Sequence, residues 1–149
     1  IDTIFILWYI LITMKIITCV DKNLGVSFNN RRQSRDRLII KDIVENFGKV
    51  FTFEYSLPLF IEYSDFAVLT QDTAMVDGYL FIEKSSLSEF ENKISTLVLY
   101  RFDKVYPSDR KLEVSLENFK LKEKIEFQGN SHEKIIKEIY VKWKRFLLR

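Results

Sequence analysis

The chain is short of the residues that build metal centres and covalent cross-links. Its 149 residues include one cysteine, Cys19, and one histidine, His132. A single cysteine excludes an internal disulfide, and such usage fits a reducing, cytoplasmic setting. Cys19 lies in an apolar run and reads as a small core residue rather than a reactive thiol. Tetrahedral zinc takes about four N/S ligands, so no such site is expected and the metal set is empty. Charge of one sign is also lacking: 23 basic residues face 21 acidic ones, a net charge of +2. No global field therefore calls for nucleic acid or an anionic membrane, and any basic site must be local. There is no internal repeat, low-complexity tract or interdomain linker, and the length fits one domain. What the chain does have is apolar material, 47% hydrophobic and 15% aromatic with 13 Phe. That is enough for a core and argues against disorder.

Residues 1–13, IDTIFILWYILIT, are almost wholly apolar. They are too short for a membrane span of about 20 residues, and extending them crosses Lys15 and consumes the next strand. A signal peptide needs a basic segment before its apolar run, and none is present. The preferred reading makes Met14 the natural start, with 1–13 a non-native upstream extension and 14–149 a single α/β domain. The alternative is an apolar, membrane-associating tail, so a membrane partner is expected only if residues 1–13 are native. The sequence carries no expectation of oligomeric state.

Lys15–Val20 is a β-rich apolar run, as in a strand buried on both faces. Asp21, Lys22, Asn23 and Gly25 supply turn chemistry. Residues 26–36 read as a polar, irregular loop. Ile39, Ile40, Ile43, Val44 and Phe47 fall on one helical face, with Lys41, Asp42 and Glu45 pointing away. Ser34 or Asp36 suits that helix's start and Gly48 its end. Further strands are expected at 50–53, 66–70, 79–82, 97–102 and 121–127, with a short edge strand at 112–114. Short helices are expected at 56–60 and, from a Ser86–Glu89 capping box, at 86–93. Residues 131–147 fit either a helix or a strand, and the local pattern favours a helix opened by Asn130 and Glu133. Strands alternating with helices early, then strand-rich sequence late, predict an α/β sandwich.

The most unusual polar feature is RRQSRDR, in which Arg31, Arg32, Arg35 and Arg37 place four guanidiniums within seven residues. One reading is an anion site for phosphate, nucleotide or RNA backbone, because forked donors suit phosphate oxygens. The other is a solvated loop whose arginines pair with Asp36 and nearby acids. Asp36 itself reads either as a ligand- or proton-handling carboxylate or as a helix N-terminal acid. His132 reads as a surface residue at a helix start, with a general base as the alternative. Lys142, Lys144, Arg145 and Arg149 with Trp143 and Phe146 suggest a nucleic-acid or membrane contact, or more simply a solvated face beside a packed one.

The order of motifs resembles dihydrofolate reductase. Val20-Asp21-Lys22-Asn23-Leu24-Gly25-Val26 is similar to the family's first strand and D-x-N-x-G-I-G turn. Gln33-Ser34-Arg35-Asp36 and the following Arg37–Lys41 match its L-P-x-D loop and helix. Val50–Ser56, Val68–Asp72, Phe81–Lys84 and Thr96–Arg101 resemble later strands, and Asp109–Leu121 faintly echoes the family's final motif. The resemblance spans about 14–127. It implies a single-domain α/β fold with a central mixed sheet flanked by helices. It also implies Asp36 as the catalytic carboxylate that holds a pterin ring. Asn29, Arg31, Arg32, Gln33, Ser34, Ser56 and Thr70 are the implied ligand- or phosphate-binding set. Departures from the pattern point away from NADPH. Phe53 and Glu54 stand where Gly and Arg are expected, and Glu83-Lys84 replace the glycine pair beside the cofactor diphosphate. Arg31 stands where the reductase loop has Trp. The expectation is a reductase-like protein without NADPH-dependent reduction, binding a nucleotide- or pterin-like small molecule. An atypical reductase using Asp36 is an alternative. The chain also resembles short clostridial proteins, often called ribonuclease Z, through Asn29–Asp36 and Ser131–Ile135. That resemblance implies RNA or phosphate binding. Dinuclear nuclease chemistry needs an H-x-H-x-D-H motif, which one histidine cannot supply.

Overall fold

The computed structural model describes residues 14–73, 76–84 and 86–142. The expectations for 1–13 and for the basic, aromatic residues after Lys142 lie outside the described residues. Strand β1, Met14–Val20, runs through the centre, with both neighbours parallel to it. Apolar side chains on both its faces explain that place: Ile16 and Ile17 point to opposite sides and both are fully buried. The sheet has seven strands in the order β5-β4-β6-β1-β7-β10-β9. They are β4 Val50–Thr52, β5 Ala67–Leu69, β6 Tyr79–Phe81, β7 Ile94–Phe102, β9 Phe119–Phe127 and β10 Ile135–Lys142. Pairing is parallel from β5 through β7, and antiparallel from β7 through β10 to β9. This is the mixed α/β architecture expected.

Helix α1, Arg37–Phe47, packs on one face. Its Ile39, Ile40, Ile43 and Val44 meet Ile17, Phe60, Phe81, Val98 and Tyr100. The opposite face buries Ile16, Leu80, Leu97 and Leu99 under Leu87, Val114 and Phe119. Asp36 caps α1 by accepting from the Leu38 N–H, and Gly48 ends it at φ 68°. Asp42 does not point away from the core. It accepts from the Tyr100 hydroxyl at 2.6 Å and pairs with the buried Lys137 at 3.0 Å.

Residues 135–142 are a strand, not the helix that the local pattern favours. β10 sits between β7 and β9 and is paired on both edges, so ladder bonds override a weak 3.6-residue period. Residues 26–36 are not wholly irregular either. β2, Gly25–Phe28, and β3, Arg31–Arg32, form a hairpin. Its turn is Asn29-Asn30, with φ 50° and 60°, a left-handed pair that asparagine tolerates. The edge strand expected at 112–114 lies instead at β8, Arg110–Lys111, against β2. The two short helices are 3-10 segments, Leu57–Phe66 and Ser88–Lys93. Ser86 receives the Ser88 N–H instead of forming a box with Glu89. No helix among the described residues is long and apolar enough to cross a membrane.

Candidate functional site

One rim of the sheet collects the loops. Val20 is level with Arg101, and Phe102 and Phe127 both align with Ile135. The 21–36 loop, the 103–109 loop and the 128–134 turn therefore gather beyond the carboxyl ends of β1 and β7, where open α/β sheets bind ligands.

Two carboxylates organise this rim. Asp21 is fully buried. Its Oδ1 accepts the N–H groups of Asn23 and Gly25, and its Oδ2 accepts from Gln33 Nε2 and the Tyr106 N–H. Burial pushes its carboxyl up, but those backbone bonds from Tyr106, Gly25 and Asn23 outweigh it and hold it below its ordinary value. A side chain at Gly25 would collide with Gln33 and Asp21 at 2.7 and 2.8 Å, which explains the glycine.

Asp36 is the second, and its carboxylate has no exposed surface. Its Oδ1 accepts from the Leu38 and Asn130 N–H groups at 2.9 and 2.8 Å. Its Oδ2 accepts from the Ser131 N–H and Oγ, and lies 2.9 Å from His132 Nδ1. Burial again raises its pKa, and the Asn130, His132, Leu38 and Ser131 bonds pull it lower overall. The pterin-holding role implied for Asp36 therefore meets an enclosed group whose oxygens are already occupied. His132 is not a surface residue. It is 6% exposed, stacked on Phe102 at 4.5 Å, and its Nε2 lies 3.0 Å from both Ser34 Oγ and the Tyr106 hydroxyl. Ser34 and Asp36 lie 98 and 96 positions away and Tyr106 lies 26 away, so no spacing signal marks it.

The third knot fills the place where the resemblance puts a cofactor. Glu83 is 7% exposed and takes a forked pair of bonds from Arg32, Nε at 2.8 Å and Nη2 at 3.0 Å. Ser56 Oγ donates to the same carboxylate at 2.6 Å. The Arg32 guanidinium lies 4.5 Å from the Tyr55 ring centroid, and Lys84 Nζ is 3.6 Å from the same centroid. Side chains thus occupy the position that the resemblance gives to a glycine pair. These residues do not fit an NADPH diphosphate. Cys19 packs nearby against the α1 face of the core, and burial, aided by Glu83, pushes its thiol up, so it is no thiolate nucleophile.

What stays open is a pocket of about 540 Å³ between the β2–β3 hairpin and the 106–107 loop. Phe28, Asn29, Arg31, Arg32 and Gln33 line one side, and Tyr106 and Pro107 the other. Of the expected site residues, the structure brings Asn29, Arg31, Arg32 and Gln33 together here. The Asn29 N–H is held by Asp109, Gln33 by Asp21 and the Pro107 carbonyl, and Arg32 by Glu83. Arg31, Arg35 and Arg37 are exposed, with no side-chain partner among the described residues. Ser34 lies behind this pocket on His132, and Ser56 reaches it only through Glu83. Thr70 is apart from it, following the edge strand β5, with its hydroxyl on the Asp72 carbonyl. Among the described residues no group of three or more His, Cys, Asp or Glu is placed to hold a metal.

No protein-family model matches the sequence. No curated protein matches it either. Solved structures do match. One is the dihydrofolate reductase from Enterococcus faecalis, in complex with NADP(H) and RAB-propyl. It superposes with a TM-score of 0.62 over 89% of this chain and 97% of that one, at 8% sequence identity. The chain has a dihydrofolate-reductase-like fold.

Proposed function

We propose that the protein binds a small anionic molecule bearing an aromatic ring, of the nucleotide class, in the pocket beside the Asn29-Asn30 turn, and that it transfers no hydride. The carrying observation is that Arg31, without a side-chain partner among the described residues, lines one cavity with the rings of Phe28 and Tyr106. Its volume of about 540 Å³ is in the usual range for small-molecule sites. Phe28 is 42% exposed, so a flat ring gains apolar burial there, while Arg31 supplies a fork for phosphate. Gln33 and Asn29 frame the pocket but are already held, which fixes its shape in advance. Arg32 is already paired with Glu83 and Asp36 with His132, which argues against a pterin held as a reductase holds it and so favours the nucleotide reading.

Nucleoside monophosphates and diphosphates titrated against the melting temperature test this. A rise that saturates, and that Arg31→Ala reduces about 10- to 100-fold in affinity, is expected from one lost charge-assisted bond. No rise at millimolar nucleotide overturns the reading, and so does NADPH binding that survives Arg31→Ala. A second reading, phosphate-backbone binding to RNA, is favoured by the guanidiniums of Arg31, Arg35 and Arg37, all three without a partner among the described residues. It predicts single-strand RNA affinity that falls steeply with salt.

A further inference from the structure

The chain's one histidine is the middle of a bonded series that the pocket ligand does not require. Asp36 Oδ2 lies 2.9 Å from His132 Nδ1, and His132 Nε2 lies 3.0 Å from Ser34 Oγ. Asp36 accepts at each of its other contacts, from Leu38, Asn130 and Ser131. It is therefore an ionised acceptor, which places the ring proton on Nδ1 and turns the lone pair of Nε2 toward the serine. The ring cannot drift, because Phe102 stacks on it and Ser131 Oγ sits 3.2 Å from Nδ1. Ser34 is half-buried and shares a small recess with Arg32 and Gln33, two residues that also line the open pocket. The backbone N–H groups of Ser34 and Arg35 make no hydrogen bond among the described residues. Unsatisfied backbone N–H groups are the type of donor that an oxyanion takes.

We propose that Ser34, His132 and Asp36 form a nucleophile–base–carboxylate triad that hydrolyses small carboxylic esters. The proposal stands on these bonds and holds whatever the pocket binds. Ser34 Oγ attacks the ester carbonyl carbon as its proton passes to His132 Nε2. The tetrahedral intermediate collapses, the carbon–oxygen bond to the alcohol breaks, and His132 returns the proton to that alcohol. Water then attacks the acyl-serine, giving its proton to Nε2. The carboxylic acid leaves as Ser34 recovers the proton. Asp36 stabilises the transient imidazolium without being protonated.

Tyr106 makes the proposal sharper. Its hydroxyl reaches the same Nε2 at 3.0 Å, and one lone pair serves one donor at a time. Tyr106 therefore competes with Ser34 for the base, and its removal leaves the serine as the sole donor. A purely structural role for the same bonds, tying the 129–132 turn to the start of α1, predicts lost stability on mutation but no serine reactivity.

The test is a fluorophosphonate probe applied to the full chain, with the labelled residue located by peptide mass spectrometry. The reaction forms a Ser Oγ–P bond, breaks P–F, releases fluoride and gives the proton to His132. Labelling at Ser34 is expected, absent in Ser34→Ala, at least 100-fold slower in His132→Gln, and several-fold faster in Tyr106→Phe. Circular dichroism and melting identify any variant that does not fold. Tyr106→Phe keeps the series decisive if His132→Gln is such a variant, since a structural tie gives no acceleration. Absence of label at Ser34 in the wild-type protein overturns the proposal. Label at Ser34 with a rate unchanged in both His132→Gln and Tyr106→Phe also overturns it.

Discussion

Arg32→Met should destabilise the protein far more than a half-exposed arginine normally does. Glu83 lies with its side chain 6% exposed, and Arg32 covers it with its own side chain 23% exposed. Removing the guanidinium strands a carboxylate whose remaining partner is Ser56 Oγ. Breaking a buried pair from one side costs about 3–5 kcal/mol, and the partial exposure of Arg32 places this case near 3 kcal/mol. For a domain of 149 residues, that corresponds to a melting temperature lower by roughly 6–12 °C. Glu83→Met should cost less, about 1–2 kcal/mol, because the freed arginine can turn to solvent. The double variant should recover most of the loss, ending about 1 kcal/mol below wild type, with Ser56 left without its acceptor. Urea midpoints of the four proteins give the coupling energy directly, expected at about 3–4 kcal/mol. A loss below 0.5 kcal/mol in Arg32→Met, or costs that simply add in the double variant, would refute the reading of Arg32 and Glu83 as a buried, mutually dependent pair.

Three further outcomes follow from the packing. A methyl at Gly129 would meet Asp36 Oδ2 at 2.5 Å and the His132 carbonyl at 2.9 Å, so Gly129→Ala should cost about 1–3 kcal/mol in urea denaturation. An unchanged midpoint would mean that the turn does not close on Asp36. Asp21 and Asp36 both titrate below their ordinary value, near 3.9 in an unfolded chain. Their contribution is therefore complete above about pH 5 and is lost as pH falls toward the folded values. Asp36→Asn should be less stable than wild type at pH 7 and lose less between pH 5 and pH 3, and an equal fall in both proteins would count against this linkage. Ile43 is fully buried between α1 and the sheet, so Ile43→Ala should cost about 2–5 kcal/mol by melting, with little effect on nucleotide binding.

Local rules carried much of the fold and little of the site. β1 and α1 were readable because their apolar residues repeat at the strand and helix periods and are bounded by turn and cap residues. β10 was not, because Ile135, Ile136, Ile139 and Tyr140 satisfy both periods, and the choice is made by β7 and β9 on either side. The β2–β3 hairpin hid because its turn is Asn-Asn rather than the stronger Asn-Gly signal. At the site, the arginine loop was marked by composition alone. Arg32 and Asp36 stood out in that loop, but their partners Glu83 and residues 130–132 lie 51 and 94–96 positions away. Periodicity cannot report such a contact. Reading the acids as solvated failed for Asp42 for the same reason, since Lys137 comes from β10.

The register of the sheet also decides how the protein can be handled. Lys15, Thr96 and Val141 stand in one row across β1, β7 and β10, while Val20, Arg101 and Ile136 form the row at the loop end. With strands spaced by about 4.8 Å, positions 15 and 141 lie roughly 10 Å apart, on the rim away from the pocket. Attachment to a surface through the exposed Lys15 ammonium leaves the loop-bearing rim, with its pocket, facing outward.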